Sequence, residues 1–405
     1  MRADRRWFCA GAAALMAAPA AAAEPPSDIT LAQDFDELWV TLRDRYCFFG
    51  EKATDWARVR QTYGPLAAAS PNREAFIEVL RLTLNELYDA HTHLSDPPEG
   101  SPRWPPFDLV VEPEGQASII RAVQDQSIAA LVGLKPGDRI LTVDGKSAAE
   151  AAGLQMPRCL RRPDPKAIAY AWNAAVAGRR RRGRVFTVDK GGPEPVRLEL
   201  PLATPSSEPE LSWRRLDGGL GYVRIASFGD MATVAKFDEA LANLRDTRGL
   251  LIDVRRNGGG DTAVARPIMG RFITARRPYA RMRRREGRGL GPFWTEYVEP
   301  RGPFTYAAPV VVLTDPWSAS MAEGFPMGMR GLGRARIVGA PMMRLGAAVF
   351  RIRLDRTGIE GQYSAEPVYD VAGRPRWKLE PDVRTAPGED ILLAGERELR
   401  RMLPG

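Results

Sequence analysis

One segment combines a hydroxyl with a carboxylate three residues later, at the point where an apolar stretch ends. This segment, APVVVLTDPWSASMAEGF, contains Ser318, Ser320 and Glu323. A serine at the start of a helix lies at the positive end of the helix dipole, where negative charge is favoured. Such a hydroxyl could act as a nucleophile, or it could only cap the helix, as serine commonly does. Residue type and position alone allow both roles.

A second segment upstream has the same design of an apolar strand followed by a loop. Residues 249–260 read GLLIDVRRNGGG and end in consecutive glycines. Because glycine lets the backbone approach a ligand closely, this loop is either a flexible turn or a set of N–H groups directed at a developing oxyanion.

The candidate bases are the only two histidines, His91 and His93, in the segment LYDAHTHL, or else a carboxylate. A neutral imidazole within reach of a serine hydroxyl can activate it, although both rings could equally be structural. With Cys47 and Cys159 they offer too few paired ligands for zinc, which needs three or four that converge. We therefore expect no metal and no cofactor. The two cysteines could pair, but their spacing does not bring them together, so we expect separate thiols.

The residues before these segments are predicted to be helical from 24 to 100. Apolar side chains recur at spacings of three and four over residues 35–46, which is typical of an amphipathic helix. A second helix is expected after the cap candidates Ser70 and Asn72 and carries Phe76 and Leu80 on one face. His91 follows where this helix ends.

Residues 101–202 resemble a PDZ domain. The run AALVGLKPGDRILTVDG, residues 129–145, predicts a helix end, a tight turn, the strand 140–143 and a hairpin turn at Asp144 and Gly145. A generic hairpin would explain the last turn but not the ordered GLKPGDRI before it. PDZ domains bind extended chain ends by strand addition, so the resemblance implies a peptide as partner.

Residues 203–405 alternate between strand and helix patterns, which argues an α/β layered domain. Apolar strands are expected in LGYVRI, GLLIDV, APVVVLTD and ARIVGA, with a helix after Ser320 and later strands around FRIRL and EPVYDV. The segments that carry the candidate chemistry thus lie at strand ends within this domain.

The first residues have the pattern of an export signal. Arg2, Arg5 and Arg6 precede an apolar run over residues 7–16, and small residues precede Glu24, which predicts a signal peptide over residues 1–23 cut after Ala23. Sec and twin-arginine export both stay open, and a periplasmic or secreted protein is expected. No later stretch has the length of a membrane span.

The net charge of +8 comes mainly from arginine, in runs at residues 179–182 and 281–288. Neither run is interleaved with aromatic residues in a nucleic-acid module, so nucleic acid is not an expected partner.

Together, the two strand-loop blocks, the GLxxGDxI module and the GRARIVG strand resemble the tail-specific, tricorn and retinoid-binding-like serine peptidases. This resemblance covers nearly all of the mature chain and implies a crotonase-like layered α/β core. It implies Ser320 as nucleophile, Ser318 as a neighbour only, and an oxyanion hole from the backbone amides of Gly259 and Met321.

This sequence departs from the tail-specific branch at the general base. Where that branch has a lysine, APMMRLGAAVF has Arg344 and Leu345, and arginine stays protonated and cannot accept the serine proton. The tricorn-like branch uses a histidine before threonine in LxDxHT, which implies His91. The acid that orients the imidazole is expected from the C-terminal strands, with Glu366 favoured over Glu380.

The sequence therefore predicts an exported serine endopeptidase that hydrolyses peptide or unfolded protein through a Ser320 acyl-enzyme. A catalytically inactive peptide- or ligand-binding homologue and a hydrolase of non-peptide esters are the alternatives. With His91 as base, activity is expected to fall as pH drops through about 6.5, the ordinary imidazole value. The oligomeric state is left open.

Overall fold

The computed structural model describes residues 28–202 and 208–403. The predicted signal peptide over residues 1–23 lies outside the described residues, as does the predicted start of the α/β domain at residue 203. Within the described part, no helix has both the length and the apolar character needed to cross a membrane.

The helices of the described residues fall before, within and after the predicted PDZ-like region. The α-helices are α1 (Asp28–Arg45), α2 (Trp56–Ala68), α3 (Arg73–Asn85), α4 (Ile128–Leu131), α5 (Ala148–Gly153), α6 (Pro165–Ala177), α7 (Ala232–Asn243), α8 (Thr262–Met269), α9 (Met321–Gly331) and α10 (Ile391–Met402). Short 3-10 helices span Phe49–Glu51, Gly270–Phe272 and Arg376–Lys378.

The strands are short and are shared among separate sheets. They are β1 (His93–Leu94), β2 (Leu109–Glu114), β3 (Ala117–Val123), β4 (Arg139–Val143), β5 (Lys146–Ser147), β6 (Arg184–Asp189), β7 (Val196–Leu200), β8 (Leu211–Leu216), β9 (Leu220–Ile225), β10 (Gly249–Asp253), β11 (Arg277–Met282), β12 (Arg285–Glu286), β13 (Gly289–Leu290), β14 (Trp294–Val298), β15 (Val310–Thr314), β16 (Ala335–Gly339), β17 (Ala347–Arg353), β18 (Glu360–Tyr369) and β19 (Val383–Arg384).

The N-terminal helices form as the apolar spacing predicts. The buried face of α1 includes Phe35, Leu38 and Leu42, and Asn72 caps α3 by accepting the N–H of Ala75. Helix α2 was not predicted, because Gly64 and Pro65 lie inside it and such residues normally end a helix. These helices share one apolar core with residues of β17 and β18, so the start of the chain packs on its C-terminal third.

The middle sheet has the order β2-β3-β4-β6-β7, with β5 paired to β4. Its neighbouring strands are antiparallel, and the predicted hairpin forms at Asp144 and Gly145. Both residues have positive φ, 49° and 83°, as the two-residue turn requires. Helices α5 and α6 cover this sheet around Trp172 and Phe186.

The sheet that carries the candidate nucleophile has the order β19-β16-β15-β10-β9-β8. Its strands β9, β10, β15 and β16 are parallel, and the side chains of β10 and β15 are buried throughout. Helices pack on both faces of this sheet, which explains the continuous apolar runs. The predicted α/β core is confirmed.

Strands β17 and β18 do not join that core sheet. They belong to an antiparallel sheet with β1, β11 and β14, in which His93 of β1 pairs with Gln362 of β18. The sheet has an antiparallel pattern because its strands are linked by hairpins and long excursions rather than by crossover helices. This sheet places the segment after α3, which contains β1, beside β17 and β18.

A buried ion pair connects the residue before β2 to β6 in the middle sheet. The Arg184 guanidinium donates to both carboxylate oxygens of Asp108, at 2.7 and 2.5 Å, and to the carbonyl of Val176 at 2.8 Å. Both ionic side chains are only 3% exposed. Neither charge has water to stabilise it if its partner is lost.

Replacing Asp108 with alanine should therefore lower the free energy of unfolding by about 3–5 kcal/mol, because it leaves a buried guanidinium uncompensated. The matched control is Glu199→Ala, which removes the exposed pair of Arg197 and Glu199, with side chains 63% and 68% exposed, and should cost less than about 1 kcal/mol. Urea denaturation of both variants measures the difference, and equal losses would contradict it.

Candidate active site

Ser320 lies at the junction between β15 and α9 in a backbone conformation that a non-glycine residue rarely adopts. Its φ is 52° and its ψ is −113°. Such strain persists only where the surrounding structure imposes it, and it is concentrated at functional positions. The side chain is half-buried, and Ser320 and Glu323 form a capping box at the start of α9. The geometry is that of a hydroxyl presented at the start of a helix.

Ser318 has a different environment, although it is only two residues away. It is fully buried, and its Oγ lies 2.9 Å from the carbonyl of Val254 and 3.1 Å from Oδ1 of Asp315. It also accepts the N–H of Asp315 at 3.0 Å. Ser318 therefore joins the ends of β10 and β15 and is not available as a nucleophile.

The glycine loop after β10 touches the start of α9. A Cβ at Gly259 would lie 2.7 Å from Cβ of Ser320, 2.8 Å from the carbonyl oxygen of Ala319 and 3.0 Å from the nitrogen of Met321. The φ of Gly259 is +103°, which glycine alone adopts readily. The loop can therefore reach Ser320 only because this residue has no side chain.

The buried Asn257 stabilises the contact between the glycine loop and the start of α9 through hydrogen bonds. Its carbonyl accepts the N–H of Ala319 at 2.9 Å. Its buried side chain accepts the N–H of Gly259 at 2.7 Å and donates to the carbonyl of Ile225 at 2.9 Å. Asn257 was missed by sequence reasoning, since an asparagine before glycines is typical of any turn.

The two amides predicted for the oxyanion hole lie together but differ in hydrogen bonding. The N–H of Gly259 is already donated to Asn257. Among the described residues, the N–H of Met321 donates to none. Met321 therefore presents a free donor beside Ser320, whereas Gly259 contributes close packing and holds the adjoining glycines next to it.

Glu323 holds the backbone at Ser320 in place through hydrogen bonds. Its Oε1 accepts the N–H of Ser320 at 3.0 Å and the N–H of Leu345 at 2.9 Å. It is buried, which raises the pKa of its carboxyl, while the nearby Arg376 charge and these backbone donors oppose that rise. The spacing between serine and glutamate is thus a structural requirement that holds the loop at Leu345 against α9.

Arg344 lies in the segment where the tail-specific branch has a lysine, and its side chain is directed at Glu380. Its guanidinium pairs with Glu380 at 2.6 Å. Both side chains are about half exposed. Glu380, the second candidate for the orienting acid, is therefore engaged at the surface.

His91 is a buried imidazole in the loop that follows α3. Burial lowers the pKa of its ring to about 4, with the Asp89 charge opposing and the Arg376 and His93 charges reinforcing the shift. Its Nδ1 is buried without a hydrogen-bond partner among the described residues. No described hydrogen bond joins the ring to Ser320. The ring is neutral at ordinary pH and has an unused nitrogen.

Asp89 organises the loop around His91. One carboxylate oxygen accepts the backbone N–H of His91 at 3.0 Å, and the other accepts the hydroxyls of Tyr46, Thr92 and Ser364. Burial opposes its ionisation, but Lys52 and His91, with these hydrogen bonds, hold the pKa of the carboxyl below its usual value. Asp89 therefore fixes the backbone of His91, not its ring.

Lys52 is a further cation beside this loop that sequence reasoning missed. Its Nζ donates to the carbonyl of Tyr88 at 3.2 Å and lies 4.2 Å from the centre of the Tyr88 ring. Burial lowers the pKa of its amine, with the Asp89 charge opposing the shift. Its charge in turn lowers the pKa of Asp89.

His93 has a structural environment. Its ring stacks on Trp104, with centroids 3.7 Å apart and an interplanar angle of 27°. Its Nδ1 lies 3.0 Å from the carbonyl of Leu94. The two histidines are thus distinguished by contacts that their spacing does not reveal.

Glu366 lies on β18, the strand that also pairs with β1. It is buried, and its Oε1 accepts from Nε of Arg284 at 2.8 Å and from Nη2 of the same guanidinium. No described hydrogen bond joins it to His91. The structure places Glu366 on the strand that flanks the histidine loop, but with another partner.

The charge of Arg376 acts on both the histidine loop and the segment that contains Ser320 and Glu323. It is buried, donates from Nη2 to the carbonyl of Ala347 at 3.1 Å, and has an Nε without a described partner. Its charge lowers the pKa of His91 and opposes the rise at Glu323. No sequence pattern pointed to this role, since Arg376 lies in a short segment rich in arginine and proline.

Three family models match separate parts of the chain. The tricorn protease C1 domain matches residues 30–85, the PDZ domain matches residues 119–156, and peptidase family S41 matches residues 219–385. These matches follow the order of the N-terminal helices, the middle sheet and the core sheet. The histidine loop lies between the first two matches.

A relative among characterised proteins is the carboxy-terminal processing protease CtpB of Bacillus subtilis (strain 168). It is 28% identical over 225 residues, which are 53% of this chain and 41% of CtpB. The match therefore spans less than half of the length of that relative.

Solved structures share the fold over nearly the whole chain. The photosystem II D1 C-terminal processing protease is 20% identical with a TM-score of 0.57, covering 92% of this chain and 97% of its own. Mature CPAF is 14% identical with a TM-score of 0.62, covering 92% and 96%. Residues 219–385 are therefore similar to peptidase family S41, and residues 119–156 are similar to a PDZ domain.

Proposed function

We propose that this protein is an exported serine endopeptidase in which Ser320 attacks the scissile carbonyl and forms an acyl-enzyme. The observation that carries the proposal is the strained backbone of Ser320, at φ 52°, beside the unused N–H of Met321. A hydroxyl on a strained turn between strand and helix, next to a free backbone donor, is suited to acyl transfer.

His91 serves as the general base in this proposal. It accepts the Ser320 proton, donates it to the leaving amine, and acts again when water hydrolyses the acyl-enzyme. Its neutral ring supports the role, because only the unprotonated form can accept a proton. The contact with Ser320 closes in the substrate complex, since hydrogen bonds of this kind are often long in free enzymes.

The oxyanion of the tetrahedral intermediate is assigned to the N–H of Met321 and to the glycine loop at Gly259. The loop supports this assignment through its contact with Ser320. Because Asn257 holds the Gly259 amide, the second donor comes from that amide on release or from the adjoining Gly260.

Glu366 is assigned as the acid that orients His91, once it leaves Arg284. Its strand supports the role, because Ser364, two residues earlier, already bonds Asp89 in the histidine loop. The unpartnered Nδ1 of His91 is the nitrogen that such an acid would accept from.

The substrate class is peptide or unfolded protein, in a compartment outside the cytoplasm. The PDZ match and the carboxy-terminal processing activity named for CtpB support a peptide end as the bound element. Export is supported by the leader pattern in residues 1–23.

Changing Ser320 to alanine should lower kcat for an unstructured fluorogenic peptide by about 10⁶-fold, because nucleophile and base act as a unit. The matched control is Ser318→Ala, which removes buried hydrogen bonds and should lower stability by about 1–3 kcal/mol while leaving kcat substantial. A covalent fluorophosphonate probe should label the wild type and not Ser320→Ala. Absence of labelling in the folded wild type would favour a binding-only homologue, and cleavage of esters but not peptides would favour the esterase alternative.

Changing His91 to alanine should lower kcat/KM by about 10⁴-fold or more, since the hydroxyl then lacks an acceptor for its proton. His93→Ala should cost far less, because that ring is stacked and bonded elsewhere.

The acid limb of kcat/KM should lie well below pH 6.5, toward pH 4, because burial lowers the pKa of His91 to about 4 and the ring stays neutral above that value. This revises the limb near 6.5 expected for an ordinary imidazole. A pH profile from 3.5 to 8 measures it at constant ionic strength. An unchanged profile in His91→Ala would contradict its role.

Changing Glu366 to glutamine should lower kcat by about a hundredfold or more, since the imidazole loses its ionic partner. Glu380→Gln is the matched control, because it disrupts only the exposed pairs with Arg344 and Arg384 and should leave kcat unaltered. Steady-state kinetics on both variants decides between the two acids, and a larger loss from Glu380→Gln would reverse the assignment.

A further inference from the structure

A cavity of about 620 Å³ lies beside the histidine loop and outside the residues assigned to catalysis. Its wall includes Pro97, Trp104 and Phe107 on one segment and Arg180 on another. The volume falls within the range that small ligands and short peptide segments occupy. The cavity thus combines an aromatic wall with a cation.

The Arg180 side chain has no counter-ion among the described residues. Its guanidinium carbon lies 4.0 Å from the centre of the Trp104 ring, and its Nε is buried with no described hydrogen-bond partner. Burial lowers the pKa of this guanidinium, and no carboxylate in the described residues forms an ion pair with it. A desolvated cation without an acidic partner is costly to the fold.

The other charges around the cavity do not satisfy Arg180. Arg103 donates to the carbonyls of Ala177 and Arg182. Glu99 lies 4.0 Å from Arg181, in a pair whose side chains are 64% and 80% exposed. Asp96 also lines the cavity, but the arginines outnumber the carboxylates there, which leaves the wall with an excess of positive charge.

Trp104 connects this cavity to the histidine loop. The His93 ring lies 3.7 Å from the Trp104 ring, centre to centre, and the Arg180 guanidinium lies 4.0 Å from the same ring. Two groups this close to one ring must occupy its opposite faces. His93 is therefore the support of the aromatic wall, and it is two residues from His91.

We propose that this cavity binds a carboxylate group of the peptide substrate, with Arg180 as its cation and Trp104 and Phe107 as the apolar wall for the adjoining side chain. The planar guanidinium can donate two N–H bonds to a carboxylate, and the ligand supplies the anion that the folded chain lacks. The proposal rests on the proposed peptidase function for the nature of the ligand. Its carboxylate is either the C-terminus of the substrate or an acidic side chain.

The test uses the full mature chain with Ser320→Ala, so that binding is measured without cleavage. Three labelled heptapeptides of otherwise identical neutral sequence end in a carboxylate, end in an amide, or end in an amide and carry one internal glutamate. Fluorescence anisotropy gives the Kd of each. Either carboxylate peptide should bind at least about tenfold more tightly than the neutral amide, as a charge-assisted hydrogen bond allows, and the tighter of the two identifies the source.

Adding Arg180→Gln should abolish this carboxylate preference, whereas Arg162→Gln, at an exposed arginine outside the cavity wall, should retain it. The melting temperature of Arg180→Gln should be equal or higher, because the substitution removes an unpaired desolvated charge, so loss of folding would not explain the loss of binding. A carboxylate preference that persists in Arg180→Gln would point to the PDZ-matched residues 119–156 as its source and would overturn the proposal, as would equal Kd values for all three peptides. If the wild type hydrolyses no peptide but Ser320→Ala still prefers the carboxylate peptides, only the proposed peptidase function would be rejected.

Discussion

The contact between the glycine loop and the start of α9 is the constraint on which the candidate site depends. Asn257 holds both sides of it, through its carbonyl to Ala319 and its side chain to Gly259 and Ile225. Glu323 holds the same helix start from the opposite direction through the N–H groups of Ser320 and Leu345. The strained φ of Ser320 is maintained by these buried hydrogen bonds, since an unconstrained serine would relax to a common conformation.

The electrostatics of the histidine loop follow from burial more than from any single partner. His91 loses solvent, and the buried Arg376 further disfavours its protonated form. A base with a low pKa is ready at neutral pH but is a weaker proton acceptor. An ionised Glu366 released from Arg284 would raise the pKa of the ring, because an opposite charge favours the protonated form. In the proposed mechanism, the partner of Glu366 therefore sets the basicity of His91 as well as the orientation of its ring.

Much of the fold was predictable because local signals and burial agree. The parallel strands β10 and β15 are continuous apolar runs, and the turn at Asp144 and Gly145 has the residues that its positive φ values require. Helix α2 was not predictable, because Gly64 and Pro65 contradict local propensity and tertiary packing overrides them. The sheet that β18 joins was also hidden, since its partners β1 and β11 are remote in sequence.

Some residues of the candidate site were predictable from local sequence, and others were not. The segment with Ser320 and Glu323 could be found by spacing, because a helix start imposes that spacing. Arg376, Lys52 and Asn257 could not be found, since their roles arise from desolvation and from long-range contacts that no local pattern encodes. The partner of Glu366 likewise depends on where Arg284 is placed by a distant strand.

Because helices α1–α3 pack on the hairpin of β17 and β18, the N-terminal part of the fold depends on residues that are translated late. In α1, the buried Asp34 accepts the backbone N–H groups of Arg356 and Thr357, and the N–H of Cys47 is donated to the carbonyl of Ser364. The loop that carries His91 is therefore framed by residues translated long after it. A partly synthesised chain has the histidine but not the strand beside it, so the candidate site cannot assemble before β18 has been made.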